Sequence, residues 1–157
     1  MRIYFVRHAE AEDGFDDAAR QLTDKGRKQA RLIGRFLANA GIEFDTAFSS
    51  PLVRAVETAK LILPLTNQPG RPLLAITQQL LNEVAPRVFD AWLRSQAEHE
   101  HILLVGHNPS MTEQVARLLG MQSPFSVNLA KGALAMVEWE PPTPATLKLF
   151  ISPKVLR

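Results

Sequence analysis

Two short runs that are apolar throughout, Ile3-Tyr4-Phe5-Val6 and Ile102-Leu103-Leu104-Val105, constrain this fold more than any other feature of the chain. A strand with one wet face alternates apolar and polar residues. A run without alternation is buried on both faces, as in a parallel sheet covered by helices on either side. Each run ends in a histidine: Arg7-His8 follows the first and Gly106-His107 the second. In open α/β sheets, chemistry gathers at the carboxyl ends of the strands. Two imidazoles are therefore expected at one edge of one sheet.

The rest of the chain alternates strand and helix patterns. Residues 9–22 are acidic and irregular, a loop long enough to be functional. Thr23 caps a predicted helix to about Asn39, with Ala30, Ile33, Leu37 and Ala40 on one face and Gly41 as a stop. Thr46-Ala47-Phe48 reads as a short strand. Ser50-Pro51 reads as an N-cap with proline at the first helical position, opening a helix with Leu52, Val56, Ala59 and Leu63 on its apolar face and Pro64 at its end. A turn-rich stretch over 65–72 precedes a strand at Leu73–Ile76, and residues 86–98 place Phe89, Trp92 and Leu93 on one helical face. Ser110-x-x-Glu113 has the form of a capping box for a helix ending near Gly120. Leu134–Trp139 and Thr146–Ile151 read as a closing hairpin around Pro141-Pro142-Thr143-Pro144. The expected fold is α/β: one domain over residues 1–157, a three-layer α/β/α sandwich around a mostly parallel sheet, with a C-terminal antiparallel hairpin. The pattern does not fix the strand order.

Composition narrows the function classes. With 157 residues the chain can bury a proper core. It has no cysteine, which excludes disulfides and thiolate metal sites. Lys+Arg at 18 barely exceeds Asp+Glu at 16, and no basic stripe marks a nucleic-acid surface. The early apolar run is too short for a signal peptide, and no stretch approaches the roughly 20 apolar residues that span a bilayer. A cytoplasmic protein with no nucleic-acid or membrane partner is expected. Oligomeric state is not legible.

Three segments carry chemistry: Arg7-His8, Ser49-Ser50-Pro51-Leu52-Val53-Arg54, and Gly106-His107-Asn108-Pro109-Ser110. The second puts Arg54 in the first turn of a helix, where anions are attracted. Folded onto one sheet edge, they make a cationic site of two histidines and two arginines, suited to a phosphoryl group. His99-Glu100-His101 reads as exposed rather than as a metal site. The acidic cluster Glu10, Glu12, Asp13, Asp16 and Asp17 reads as a solvated loop that repels stray anions at the pocket rim.

Arg7-His8-Ala9-Glu10-Ala11, Leu22-Thr23-Asp24-Lys25-Gly26-Arg27-Lys28-Gln29-Ala30, Ser49 through Ala59 and Val105-Gly106-His107-Asn108-Pro109, taken in order, resemble the histidine phosphatase (phosphoglycerate-mutase-like) superfamily. The small size and the segments Lys131–Leu134 and Ile151–Lys154 resemble its SixA-type phosphohistidine phosphatases. The resemblance implies a neutral His8 attacking phosphorus, Arg7 and Arg54 on the non-bridging oxygens, and His107 donating to the same oxygens. It implies no metal and no cofactor, because fixed cations do that work. Arg20 matches an arginine that precedes the Leu-Thr-x-x-Gly motif and contributes to the substrate site, and Asn108 follows His107 as a further substrate contact. Glu83, in Leu81-Asn82-Glu83-Val84, matches by position the acid that protonates the leaving oxygen in many relatives. Arg7-His8-Ala9 departs from the more usual Arg-His-Gly, a change the SixA-like group tolerates.

The resulting expectation is a metal-independent phosphatase that acts through a covalent phosphohistidine on phosphohistidine in a partner protein. One alternative is the same chemistry on a small phosphate ester, such as a sugar or nucleotide phosphate. The other, from a different class, is a phosphate-binding module without turnover.

Overall fold

The computed structural model describes all of residues 1–157. Its strands are β1 (Arg2–Arg7), β2 (Thr46–Ser49), β3 (Leu74–Ile76), β4 (His101–Gly106), β5 (Leu134–Glu138) and β6 (Thr146–Ile151). Its α-helices are α1 (Asp24–Asn39), α2 (Val53–Thr66), α3 (Pro86–Arg94) and α4 (Ser110–Leu118). They form one six-stranded sheet in the order β3-β2-β4-β1-β5-β6. The first four strands run parallel, while β5 and β6 are antiparallel additions on the β1 side.

Alternate residues of the two apolar strands face different layers, so both must be apolar. Ile3, Phe5, Ile102 and Leu104 pack with Phe89 and Leu93 of α3 and with Met111 and Val115 of α4. Tyr4, Val6, Leu103 and Val105 pack with Ile33 and Leu37 of α1 and with Ala55, Ala59 and Ile62 of α2. The expected sandwich and terminal hairpin are thus present. The chain leaves β1 for α1 on one face and leaves the adjacent β4 for α4 on the other. That divergence opens a crevice at the carboxyl ends of β1 and β4, the position where open α/β sheets bind ligands.

Several local expectations are corrected. Ser50 does not cap α2: that helix starts at Val53 after Leu52 and has no side-chain cap. Pro64 lies inside α2 rather than ending it, and the buried face is Ala55, Thr58, Ala59 and Ile62, rotated from the face expected. Ser110 is the first residue of α4, not its cap, and its amide is taken by Asn82 Oδ1 at 3.1 Å. α3 stops at Arg94, and Ala40 of α1's expected apolar face is exposed. No helix is long and apolar enough to cross a membrane.

Candidate active site

His8 and His107 leave neighbouring strands at the same level. Arg7 ends β1 and is paired with Gly106, which ends β4, and the His8 amide donates to the Gly106 carbonyl at 2.9 Å. The two imidazoles lie with ring centroids 5.1 Å apart. Both are buried, at 7% and 3% exposure. The Gly132 amide reaches the carbonyls of Arg7 and His8, both at 3.1 Å. It does so with φ at +74°, a conformation in which a side chain would be strained. The end of β1 is therefore fixed by backbone on both sides.

The hydrogen bonds define which ring nitrogen is free. His8 Nδ1 lies 2.7 Å from the Ala9 carbonyl. A carbonyl only accepts, so Nδ1 carries the proton and Nε2 of the neutral ring keeps its lone pair. The Ala9 peptide is held in turn, because its N–H donates to Thr58 Oγ1 at 3.0 Å and the Thr58 hydroxyl donates to the Arg54 carbonyl at 2.7 Å. On the other ring, His107 Nε2 lies 2.5 Å from Ser50 Oγ, which also accepts from the Leu52 amide at 3.3 Å. A Ser50 hydroxyl donating to Nε2 leaves the proton of His107 on Nδ1.

The arginines complete a cationic cup. Arg54 is buried and donates from Nη1 to the Asp17 carbonyl at 2.7 Å and from Nη2 to the Asp17 carboxylate at 3.2 Å. Arg7 donates from Nη1 to the Leu129 carbonyl at 3.1 Å. Arg7 Nε, Arg54 Nε and His107 Nδ1 are buried without any partner, and they are the chain's only unpartnered buried side-chain nitrogens. An unsatisfied buried donor is costly, on the order of 1–3 kcal/mol each. Three gathered at one spot are what an anion with several acceptor oxygens would satisfy.

Burial and neighbouring cations set the protonation states. Burial pushes the His8 pKa down to about 3, with His107, Arg54 and Arg7 adding to the effect against the Ala9 hydrogen bond. Burial, then Arg54, pushes His107 down to about 4. Both rings are neutral at pH 7. Burial also lowers the Arg7 pKa from its usual value. The carboxyl of Asp17 is held below its ordinary range by hydrogen bonds from Arg20 and then Arg54.

Of the residues singled out from sequence, Arg7, His8, Arg54 and His107 come together. Asn108 adjoins them, but its Nδ2 donates to the Leu129 carbonyl and its Oδ1 accepts from Thr112, so its side chain holds the loop beside Arg7. Arg20 reaches the cup indirectly, through Asp17, with Nε and Nη2 on the carboxylate at 3.0 and 2.8 Å and Nη1 on the Glu12 carbonyl at 3.3 Å. Glu83 is exposed and makes no hydrogen bond or ion pair with the cup. Its neighbour Asn82 braces the start of α4 instead. His101 joins the hydrogen bonds of Tyr4 and Arg2, and no His/Asp/Glu group is arranged to hold a metal ion. Sequence reading missed Ser50, Thr58 and Asp17 as partners of the site. Ser50 and Thr58 stand inside the quoted Ser49–Ala59 motif, four residues either side of Arg54, which was the available signal.

Comparison with known proteins bears on what this cup belongs to. The model of the histidine phosphatase superfamily (branch 1) matches residues 3–73, which hold Arg7, His8 and Arg54. An uncharacterized protein of Picosynechococcus sp. is 32% identical over 143 residues, covering 85% of this chain and 82% of that protein. The chain belongs to the histidine phosphatase superfamily. The protein histidine phosphatase SixA, solved with tungstate, has the same fold: TM-score 0.88 at 24% identity, with 98% of both chains covered. A putative alpha-ribazole-5'-P phosphatase of Escherichia coli K-12 matches with TM-score 0.81 at 22% identity over 98% of each chain. Matches to mitochondrial serine/threonine-protein phosphatases and to 2,3-bisphosphoglycerate-dependent phosphoglycerate mutases span less than half of those proteins' length. The superfamily model and the phosphatases among the structural neighbours together support a phosphatase. Its fold is that of the small SixA-type members, with the cup at the β1/β4 crevice.

Proposed function

We propose that this phosphatase works through a covalent phosphohistidine on His8 and that its substrate is phosphohistidine in a partner protein. One observation carries the mechanism. His8 offers an unprotonated Nε2, its tautomer set by Ala9, in the cluster that holds three buried N–H groups with nothing to bind. In the first half-reaction Nε2 bonds to phosphorus, and the phosphorus–nitrogen bond of the substrate breaks. The departing imidazole nitrogen takes a proton from solvent. Water then attacks the phosphorus on His8, that bond breaks, and inorganic phosphate leaves with His8 neutral again. Arg7 and Arg54 hold the non-bridging oxygens, and His107 donates from Nδ1 as charge moves onto them.

The state of the acid supports the choice of substrate. Glu83 is exposed and joins none of the cup's hydrogen bonds or ion pairs, so an alkoxide leaving group would have little help from it. An imidazole departs more readily and needs less. Small phosphate esters are the second reading, favoured by the shared fold of the alpha-ribazole phosphatases. A rapid acid-free quench with ³²P-labelled phosphohistidine protein tests the proposal. The expected result is label on His8, stable in base and labile in acid, and none in His8→Ala. Turnover retained by a folded His8→Ala overturns the covalent mechanism. Hydrolysis of esters with no turnover of phosphohistidine favours the second reading.

A further inference from the structure

The acidic loop between β1 and α1 is a built element. Ala11 bridges Leu22 in antiparallel fashion, and the Glu12 amide donates to the Gln21 carbonyl at 2.8 Å. Arg20 ties the Glu12 carbonyl to the Asp17 carboxylate, and Asp17 ties the loop to Arg54. What this frame presents outward is unusual. Phe15 is fully exposed, at 112%, and it stands among Glu12, Asp13 and Asp16, all exposed and none in an ion pair. Glu10 and Asp17, by contrast, are paired with Lys25 and with Arg20 and Arg54.

A second exposed phenylalanine, Phe125 at 91%, sits on another loop that reaches the cup. That loop ends at Leu129, whose carbonyl accepts from both Arg7 and Asn108. Phe125 also lines a cavity of about 480 Å³ together with Asn108, Thr112 and Val127. Two fully exposed aromatic rings thus stand on the two loops bonded to the two arginines. Exposed aromatic anchors at a rim are typical of protein-binding surfaces.

We propose that Phe15, Phe125 and the free carboxylates of Glu12, Asp13 and Asp16 form the docking surface for the protein substrate, a folded partner whose phosphohistidine is surrounded by apolar side chains and lysines or arginines. The proposal rests on the protein-phosphohistidine reading above and adds the partner's surface chemistry to it. Charge complementarity is the argument for this occupant. A small phosphate ester is an anion and gains nothing from a rim of carboxylates. A basic protein surface is steered by them, while its phosphoryl group enters the cationic cup.

The test compares three substrates: histone H4, a protein rich in arginine and lysine, phosphorylated on histidine with phosphoramidate; free phosphohistidine; and p-nitrophenyl phosphate. The variants are Phe15→Ala/Phe125→Ala and the neutral isosteres Glu12→Gln/Asp13→Asn/Asp16→Asn. Each is expected to lose roughly tenfold or more in kcat/KM on phosphohistone, with turnover of the two small substrates not reduced. Salt should raise KM for phosphohistone more steeply than for either small substrate. Equal loss on all three substrates, or no loss on phosphohistone, overturns the docking surface. So does a change from dimer to monomer in the phenylalanine variant with all activities intact, which would assign the face to a second copy of the chain. Wild-type enzyme that hydrolyses p-nitrophenyl phosphate but neither phosphohistidine substrate overturns the substrate reading itself.

Discussion

Lowering the pH from 7 to 5 should strip stability from this protein through two imidazoles. An unfolded histidine titrates near 6.5, whereas folding holds His8 at about 3 and His107 at about 4. Both folded values lie below the unfolded one, so as pH falls the unfolded chain takes up protons first. The stability is complete above about pH 7 and drains away from about 6.5 until the folded rings themselves protonate. Between pH 7 and 5 an unfolded imidazole goes from about one quarter to nearly fully protonated, while the buried rings stay neutral. Integrating proton uptake over that window gives about 2 kcal/mol for each ring and about 4 kcal/mol for the pair. Asp17 adds nothing in this window, because its folded carboxyl is shifted downward and its loss comes at lower pH. Urea unfolding of the apo protein at a series of pH values measures the effect. His8→Asn keeps an N–H for the Ala9 carbonyl, removes one titration, and should show about half the wild-type loss. A wild-type stability that is flat from pH 7 to 5, or a His8→Asn slope equal to the wild type's, refutes the claim that these rings are buried in neutral form.

Arg54→Ala should lower kcat/KM for p-nitrophenyl phosphate by about 10²–10³, the scale for removing one transition-state donor; a change under about threefold would remove Arg54 from the phosphate site. Ser50→Ala leaves His107 Nε2 without its 2.5 Å partner and should cost about tenfold in kcat with KM little changed, whereas a loss confined to KM would deny it a role through His107. Glu83→Gln should leave phosphohistidine turnover within about twofold, since general-acid help is worth 10²–10⁴ where it operates. Gly26→Ala would put a methyl group 1.9 Å from the Glu10 carbonyl oxygen, so the loop following His8 must shift. That variant should lose activity and melt at lower temperature, and normal activity would contradict the close approach of α1 to this loop.

The layers of the fold were legible because burial on both faces leaves a mark that tertiary context cannot erase. Ile3–Val6 and Ile102–Val105 must be apolar at every position to sit between two helical layers. Helix starts were less legible because their signals are local and a tertiary partner can claim the same atoms. Ser50 and Ser110 have the residue types of N-caps, yet the Ser50 hydroxyl is drawn to His107 and the Ser110 amide to Asn82. Proline in a helical pattern signals a stop, but in the last turn of α2 Pro64 forfeits a single amide bond, and the Thr66 hydroxyl donates to the Leu63 carbonyl nearby.

The cup shows the same division between charge and geometry. Arg7, His8, Arg54 and His107 are residue types with few structural uses at strand ends and helix starts, so position alone singled them out. Their supports are ordinary residues whose role exists only in three dimensions. Thr58 reaches His8 through the Ala9 peptide, with α2 folded against the end of β1. Asp17 looked like one more solvated carboxylate in an acidic loop, yet it occupies both Nη groups of Arg54 through its carbonyl and its side chain. Because a phosphoryl group also seeks those N–H donors, Asp17 and the substrate compete for one guanidinium. The acidic loop is therefore coupled to the state of the site, through a contact that no spacing along the chain encodes.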